Sequence, residues 1–421
     1  MRVARLETYT ARQMKHFIYA GIVGAVLTGL GSAQAIAQTN FTPGVPIKIG
    51  IIFPLTGGSS DMGNSARIGA QAAVNEINQV GGYLGRLIEL VVRDDEANND
   101  VGRKAAQDLV LKEKVTATIG YCNAGVAMNS IDVFQANKQV LIVPCSTGTA
   151  ITAKYAAAES YIFRIAARSK LQAQFLVDDI VKRKFTKVAL LVDSTGYGDL
   201  GLKDMEEALA KAGLKPHLVL RFKVGVKSLD AEVKQLKDSG ADALIGWTVG
   251  PEQGVISASR AAAGWKVAQY GTWDVSHASA FKTSGGNVEG VAMAQTSIQN
   301  LFLERNSAFL RSYRKLSDEK PIGSFISAAQ SYDAVHLLLR AFFDAKGDLS
   351  GPAIKRALEN QAFIYRGVVT TYDKPFSDKD HDAISMNMLW MGTWKNQDRT
   401  YFYPEDQKAA TVIRRKQDLS K

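Results

Sequence analysis

The sequence predicts an α/β protein made of two successive units, each a parallel sheet covered by helices. Three observations carry the prediction. Short β-branched runs alternate with longer segments of helical period, polar glycine-bearing loops follow the runs, and the whole alternation restarts part-way along the 421 residues. Repeated β-α-β alternation of this kind has one common solution, a parallel sheet with helices on both faces. The length is enough for two such units.

In the first unit, Ile47–Phe53 reads as a strand, followed by a Gly/Ser-rich loop from Gly57 to Gly63. Ala66, Ile68, Ala70, Ala73, Val74 and Ile77 then form a helical stripe that stops at Gly81-Gly82. Strand Leu87–Val92, helix Val101–Leu111, strand Thr116–Gly120, helix Val126–Asn137 and strand Val140–Val143 follow, the last ended by Pro144. The second series opens with strand-like Tyr161–Ile165 and helix Leu171–Lys182. It continues with strand Lys187–Val192, helix Leu200–Ala212, strand His217–Phe222, helix Leu229–Lys237, strand Ala243–Trp247, helix Gln253–Ala263 and strand Val267–Trp273. Helical segments around Phe302–Lys315, Phe325–Ala345 and Pro352–Asn360 come next, then strand patterns Gly367–Tyr372 and Ile384–Trp394.

The first 37 residues are different in kind. Arg2, Arg5, Arg12 and Lys15 precede an apolar run from Phe17 to Leu30, and Ala35-Ile36-Ala37 offers a small-x-small exit. That combination specifies a secretory signal with cleavage near Ala37. The run is short of the roughly 20 residues a membrane-spanning helix needs. Removing residues 1–37 takes the formal charge from +10 to +7. The densest basic runs, Lys182-Arg183-Lys184 and Arg414-Arg415-Lys416, lack the aromatic interleaving of a nucleic-acid footprint and read as solvated surface. Two cysteines, Cys122 and Cys145, are too few to build a disulfide scaffold; because both follow strands expected to be neighbours, a bridge between them stands open against two buried thiols.

Ligands of parallel α/β sheets sit at the carboxyl ends of strands, beside helix N-termini. In the first unit those ends carry Pro54 to Gly63, Gly120 to Gly125 and Pro144 to Thr149: hydroxyls, an amide, glycines, and Asp61 as the one acidic residue. Loops of this composition leave backbone N–H groups free for an anion such as a carboxylate; ordinary loop punctuation uses the same residues. In the second unit the ends carry Asp193 to Gly198, Trp247 to Glu252, and Trp273-Asp274, so carboxylates and large aromatics face the ligand side. An anion-friendly wall opposite an acidic, aromatic one suits a zwitterion. Core packing competes with ligand contact for Trp247.

Gly196-Tyr197-Gly198-Asp199-Leu200-Gly201 fits the G-x-G-x-x-G dinucleotide pattern between a strand and a helix. Yet the following strand has no acidic residue for a ribose, only Arg221 near its end. The five histidines are scattered without metal-ligand spacing, and no G-x-S-x-G elbow occurs. Neither a catalytic set nor a cofactor or metal site is expected.

Several ordered stretches resemble the periplasmic branched-chain amino acid (Leu/Ile/Val) binding proteins of ABC transporters. They are Ile49-Gly50, Pro54-Leu55-Thr56-Gly57, Gly69-Ala70, Asn75-Glu76-Ile77-Asn78, Gly81-Gly82-Tyr83-Leu84-Gly85-Arg86, Ile88-Glu89-Leu90 and Asp94-Asp95, with echoes at Phe163-Arg164, Tyr197-Gly198 and Tyr332-Asp333-Ala334. The resemblance runs from Ile47 to about Trp394. It implies a type I periplasmic-binding fold, with two Rossmann-like lobes joined by a three-crossing hinge. It puts lobe 1 at 46–165 plus 298–366, lobe 2 at 166–297 plus 367–410, and a tail at 411–421.

By the same resemblance, a ligand carboxylate meets Asn123, Ala124, Cys145, Ser146 and Thr147, and an ammonium meets Glu252. Tyr197 lines the second lobe, and Met62 stands where the family often has an aromatic; with Trp273 at its strand end, Tyr197 is expected to take the apolar part. Asn123 replaces the usual hydroxyl residue; that departure and Met62 leave aromatic or aliphatic carboxylates and amides as alternative ligands. The resemblance further implies a monomer that delivers an amino acid to an inner-membrane ABC permease, with a ligand-sensing domain of a signalling system as the rival role.

Overall fold

The computed structural model describes residues 44–417. The leader 1–37 and residues 418–421 of the tail lie outside the described residues. The first sheet contains β1 (Ile47–Phe53), β2 (Ile88–Asp94), β3 (Ala117–Gly120), β4 (Leu141–Val143) and β5 (Ile162–Arg164), in the order β2-β1-β3-β4-β5 and all parallel. The second contains β6 (Val188–Asp193), β7 (Leu218–Phe222), β8 (Ala243–Trp247), β9 (Ala268–Gly271) and β10 (Ala292–Gln295), again parallel, in the order β7-β6-β8-β9-β10. A hairpin, β11 (Tyr365–Arg366) with β12 (Thr371–Tyr372), stands apart. β13 (Trp390–Lys395) and β14 (Asp398–Tyr401) then extend the second sheet antiparallel beyond β10. The expected α/β class with two parallel sheets is therefore what the chain forms.

Burial on both faces explains why these strands read as continuous apolar runs. In β1 every residue but Lys48 is buried, and in β6 and β8 every residue is. Helix Ser60–Gln79 covers one face of the first sheet together with helix Phe325–Asp344, supplied from almost 250 residues later. Their backbones touch at Gly69, where a Cβ would fall 2.0 Å from the Ala328 carbonyl oxygen, so only glycine fits. Phe309, Leu310, Ile354 and Leu358, from two further late helices, join the same core.

The chain passes between the two halves three times: after β5, after β10, and between β12 and β13. At the third passage the buried Arg164 Nε donates to Asp382 Oδ1 at 2.6 Å, and Arg164 NH1 donates to the carbonyls of Thr147 and Gly148. An ion pair this enclosed is stable only because further hydrogen bonds satisfy both partners.

Three local expectations are corrected. The stretch Val267–Trp273 does not run on as a strand; β9 ends at Gly271 and Trp273–Ser276 forms a 3-10 turn, held by Thr272 Oγ1 bonding Asp274. Gly367–Tyr372 is the turn and second strand of the small hairpin rather than one strand. It wraps the buried Asp333, whose carboxylate accepts from Val368 N (2.8 Å), Val369 N (2.9 Å), Tyr365 OH (3.0 Å) and Tyr372 OH (3.2 Å). The C-terminal basic run is not simply solvated, whereas Lys182, Arg183 and Lys184 are all exposed as expected. Arg414 lies 3.3 Å from the Trp390 ring centroid and donates to the carbonyls of Asn387 and Leu389, while Arg415 pairs with Asp373 and Lys416 with Asp380. Arg183 donates to Tyr270 OH and stacks near Phe185 and Phe402.

Candidate ligand cleft

In both sheets the strand order reverses beside the first strand, between β1 and β3 and between β6 and β8, which opens a crevice at the carboxyl edge. The two edges face one another across a cavity of about 790 Å³. Loops after β1, β2, β3 and β4 line it from one side and loops after β6, β7, β8 and β9 from the other.

On the first side, helix Ala124–Ala136 begins at the wall. Asn123 is its N-cap residue, but the side chain caps nothing: Nδ2 donates to Ser59 Oγ at 3.1 Å and Oδ1 has no partner. The first-turn N–H groups of Ala124, Gly125 and Val126 lack intrahelical acceptors by geometry, and all three residues line the cavity. With the helix dipole they favour an anion there. Thr147 is buried beside them, its hydroxyl 3.2 Å from Ser169 Oγ. Met62 closes the end of this wall.

The second side is acidic. Glu252, in the first turn of helix Gly250–Ala262, is 4% exposed; Oε1 accepts from Gly225 N at 2.7 Å and Oε2 has no partner. Burial pushes its pKa above the ordinary carboxylate range, and the Gly225 amide opposes that rise. Asp274, 2% exposed, is also pushed up by burial; its Oδ2 accepts from Tyr197 OH at 2.9 Å and from Thr272 Oγ1 at 2.7 Å. Tyr197 follows its cap Thr195 at the start of helix Gly196–Lys211 and leans on Trp247, with ring centroids 6.0 Å apart.

Of the nine residues expected at the site, Met62, Asn123, Ala124, Thr147, Tyr197, Glu252 and Trp273 come together around this cavity. Cys145 and Ser146 do not line it: both side chains are buried, Cys145 in the core under helix Ser60–Gln79. Cys122 and Cys145 are two buried free thiols, so the bridge between them is absent in this structure. Burial, reinforced by the neighbouring Cys145 thiol, pushes the Cys122 pKa up, which keeps it protonated.

A family model described as periplasmic binding protein matches residues 46–399. The chain belongs to the periplasmic binding protein family. A Leu/Ile/Val-binding protein homolog 3 of Brucella melitensis is 30% identical over 246 residues, which is 58% of this chain and 66% of that relative, just under two thirds of its length. The substrate-binding protein LivJ of the Streptococcus pneumoniae branched-chain amino acid transporter, solved with isoleucine, superposes with a TM-score of 0.72 at 23% identity, covering 84% of this chain and 97% of that one. A solute-binding protein of an R. palustris ABC transporter, solved with 4-hydroxybenzoate, gives 0.72 at 19% identity, with 85% and 95% covered. The fold is thus that of the type I periplasmic binding proteins.

In this periplasmic binding protein the cleft also uses residues outside the expected set. Asn98, Asn99 and Asp100 after β2 and Gly225 and Lys227 after β7 line it, beside Asp274, which the strand-end rule already puts on the ligand side. The rule that located the other loops, strand ends at one sheet edge, would have found them. Two features hid them: β2 ends in polar residues (Arg93, Asp94) that blur its boundary, and β7 is an amphipathic edge strand. Among the described residues no group of three or more His, Cys, Asp or Glu could hold a metal, and no helix is long and apolar enough to cross a membrane.

Proposed function

We propose that this protein is the periplasmic solute-binding component of an ABC importer and captures a small amphipathic amino acid, of the branched-chain type or related to it, between two closing lobes. One observation carries the reading: the cleft sets free helix N-terminal amides on one wall against the buried Glu252, whose Oε2 has no partner, on the other. A ligand α-carboxylate at Asn123, Ala124 and Thr147 and an α-ammonium at Glu252 would supply both missing partners. Tyr197 and Trp273 then flank the side chain, and Met62 covers it.

The chain enters the periplasm by a signal peptide cleaved near Ala37, works as a monomer without catalysis or cofactor, and hands its solute to an inner-membrane permease. The resemblance puts lobe 1 at 46–165 and 298–366 and lobe 2 at 166–297 and 367–410. The packing of Val368, Tyr372, Phe376 and Ala383 on the first core supports moving the third hinge crossing to about residue 384. Ligand contacts to both lobes favour the closed state.

The test is a thermal-shift screen of the protein without its leader against amino acids, amides, and aromatic and aliphatic carboxylates. A ligand at 100 times its Kd stabilises the folded state by about 2.7 kcal/mol. A rise with amino acids supports the reading. A rise with benzoate-type acids alone keeps the solute-binding role and replaces the ligand. No rise with any of them favours a ligand-sensing domain.

A further inference from the structure

The cavity's charges are one-sided. Four charged side chains line it: Asp100, Glu252, Asp274 and Lys227. Asp100 and Lys227 are exposed at the rim, so the two buried charged groups are both carboxylates. They rise from the ends of neighbouring strands, β8 and β9, on one wall. Each has one satisfied and one open oxygen. Glu252 Oε1 takes the Gly225 amide and Oε2 has no partner. Asp274 Oδ2 takes Tyr197 OH and Thr272 Oγ1, while Oδ1 makes no hydrogen bond among the described residues; the buried His277 Nδ1, 3.8 Å away, is too far for a hydrogen bond but near enough to offset the carboxylate's charge when protonated. Asn123 Oδ1 adds a third unpartnered acceptor on the opposite wall.

A buried carboxylate oxygen without a donor is costly. A purely aliphatic amino acid answers only one of them: its ammonium pairs with Glu252, and its alkyl chain would cover Asp274 Oδ1 and strip it of water. The volume, about 790 Å³, also leaves room for a longer ligand.

We infer that the solute is an amino acid whose side chain ends in a nitrogen group carrying N–H donors, an amine, guanidine or amide, and that Asp274 selects it by accepting from that group. The inference rests on the solute-binding reading and narrows it. The α-carboxylate lies at the Ala124–Val126 amides, the α-ammonium at Glu252, and the distal nitrogen at Asp274 Oδ1. Tyr197 is then a positioning residue that holds Asp274 through its hydroxyl.

The experiment is calorimetric titration of the protein, freed of bound ligand by unfolding and refolding, with chain-matched probes: ornithine and glutamine against norleucine and leucine. Ornithine or glutamine is expected to bind at least about tenfold more tightly than norleucine, because a site built to accept a donor rejects the analogue that lacks it. Asp274→Asn, checked for an unaltered melting temperature without ligand, is expected to shrink that preference to under about threefold for ornithine. Norleucine or leucine binding as tightly as the nitrogen-bearing probes would overturn the inference and leave the solute-binding reading standing. A preference that survives Asp274→Asn unchanged removes Asp274 from the role. Binding of none of the four overturns the inference and the amino acid ligand, and leaves the solute-binding role to be decided by the carboxylates and amides of the thermal-shift screen. The comparison of probes needs only the wild-type protein, so it decides even where the variant does not fold.

Discussion

Ser279 Oγ donates a 2.5 Å hydrogen bond to Asp61 Oδ2 between the two halves of the molecule, joining residues 218 apart in sequence. Asp61 belongs to the first turn of helix Ser60–Gln79 in the first half, and Ser279 to helix Ala278–Ser284 in the second. Next to them Ala278 N donates to the Gly323 carbonyl at 2.8 Å, so the contact is a small patch. Asp61 Oδ1 meanwhile accepts from Met62 N, which fixes the carboxylate's direction.

This contact is expected to hold the closed state. Ser279→Ala removes the donor and should cost about 1 kcal/mol of closure, or roughly fivefold in affinity. The loss should be seen as faster ligand dissociation in stopped-flow, with the melting temperature of the ligand-free protein little changed. An unaltered dissociation rate would mean that the bond does not contribute to closure.

Glu252 yields a prediction with a chemical control. Glu252→Ala should weaken α-amino acid binding by at least about 2 kcal/mol, the usual cost of removing one partner of a buried charge pair. A carboxylic acid of the same shape, lacking the ammonium, should lose much less. Because burial raises the Glu252 pKa, amino acid affinity should also fall on acidification, beginning above the ordinary carboxylate range, as the side chain takes a proton and can no longer pair with the ammonium. Equal losses for amino acid and plain acid in the variant would separate Glu252 from the amine.

How the fold could be read from the sequence differs element by element. Ile47–Phe53 and Ala243–Trp247 coincide with β1 and β8 because strands buried on both faces are uninterrupted apolar runs. Two helices start earlier than their apolar period predicts. The helix expected from Leu200 begins at Gly196 and that from Gln253 begins at Gly250, because first turns at a ligand cleft carry glycine and polar residues with no apolar period. Their signals were Thr195 as N-cap and Pro251 in the first turn. β10 and β14 were missed for opposite reasons: β10 is four residues of Ala, Met and Gln, and β14 is a polar edge. At the site, strand-end logic found the loops but not the direction of side chains within them. Cys145 and Ser146 are one and two residues past Pro144, yet their side chains turn into the protein while Thr147 reaches the cleft.

Asp95, fully buried behind the cleft, gives a pH-dependent prediction. Its Oδ1 accepts from Ala97 N and its Oδ2 has no partner; burial, with a smaller push from Asp94, raises its pKa to about 7. In the unfolded chain the value is about 3.9. Between these limits the folded protein holds a proton that the unfolded chain releases. The residue's stabilising contribution is therefore complete below about pH 4 and lost as pH rises to about 7. Asp95→Asn cannot ionise. Relative to wild type, its melting temperature should be higher at pH 8 than at pH 4 by on the order of 5 °C. A wild-type-to-variant difference that is the same at both pH values would place the Asp95 pKa in the normal range.

The glycine pattern at Gly196, Gly198 and Gly201 mimics a dinucleotide fingerprint, and packing accounts for two of its three glycines. A Cβ on Gly198 would fall 2.0 Å from the Asp193 carbonyl oxygen, and one on Gly201 would fall 1.9 Å from Trp247 Nε1. Helix Gly196–Lys211 thus lies directly on the end of β6 and on a tryptophan buried to 1% exposure. Intrinsic helix propensity says that Gly201→Ala should stabilise the protein by about 1 kcal/mol. Overpacking against an immobile Trp247 says the reverse, a loss of about 1–3 kcal/mol. The clash is expected to win, because the indole is enclosed and has no room to move, so the variant should melt lower. Neither wild type nor variant should bind NADH in a fluorescence titration. A more stable Gly201→Ala protein, or NADH binding that the substitution abolishes, would return the pattern to a nucleotide-binding role.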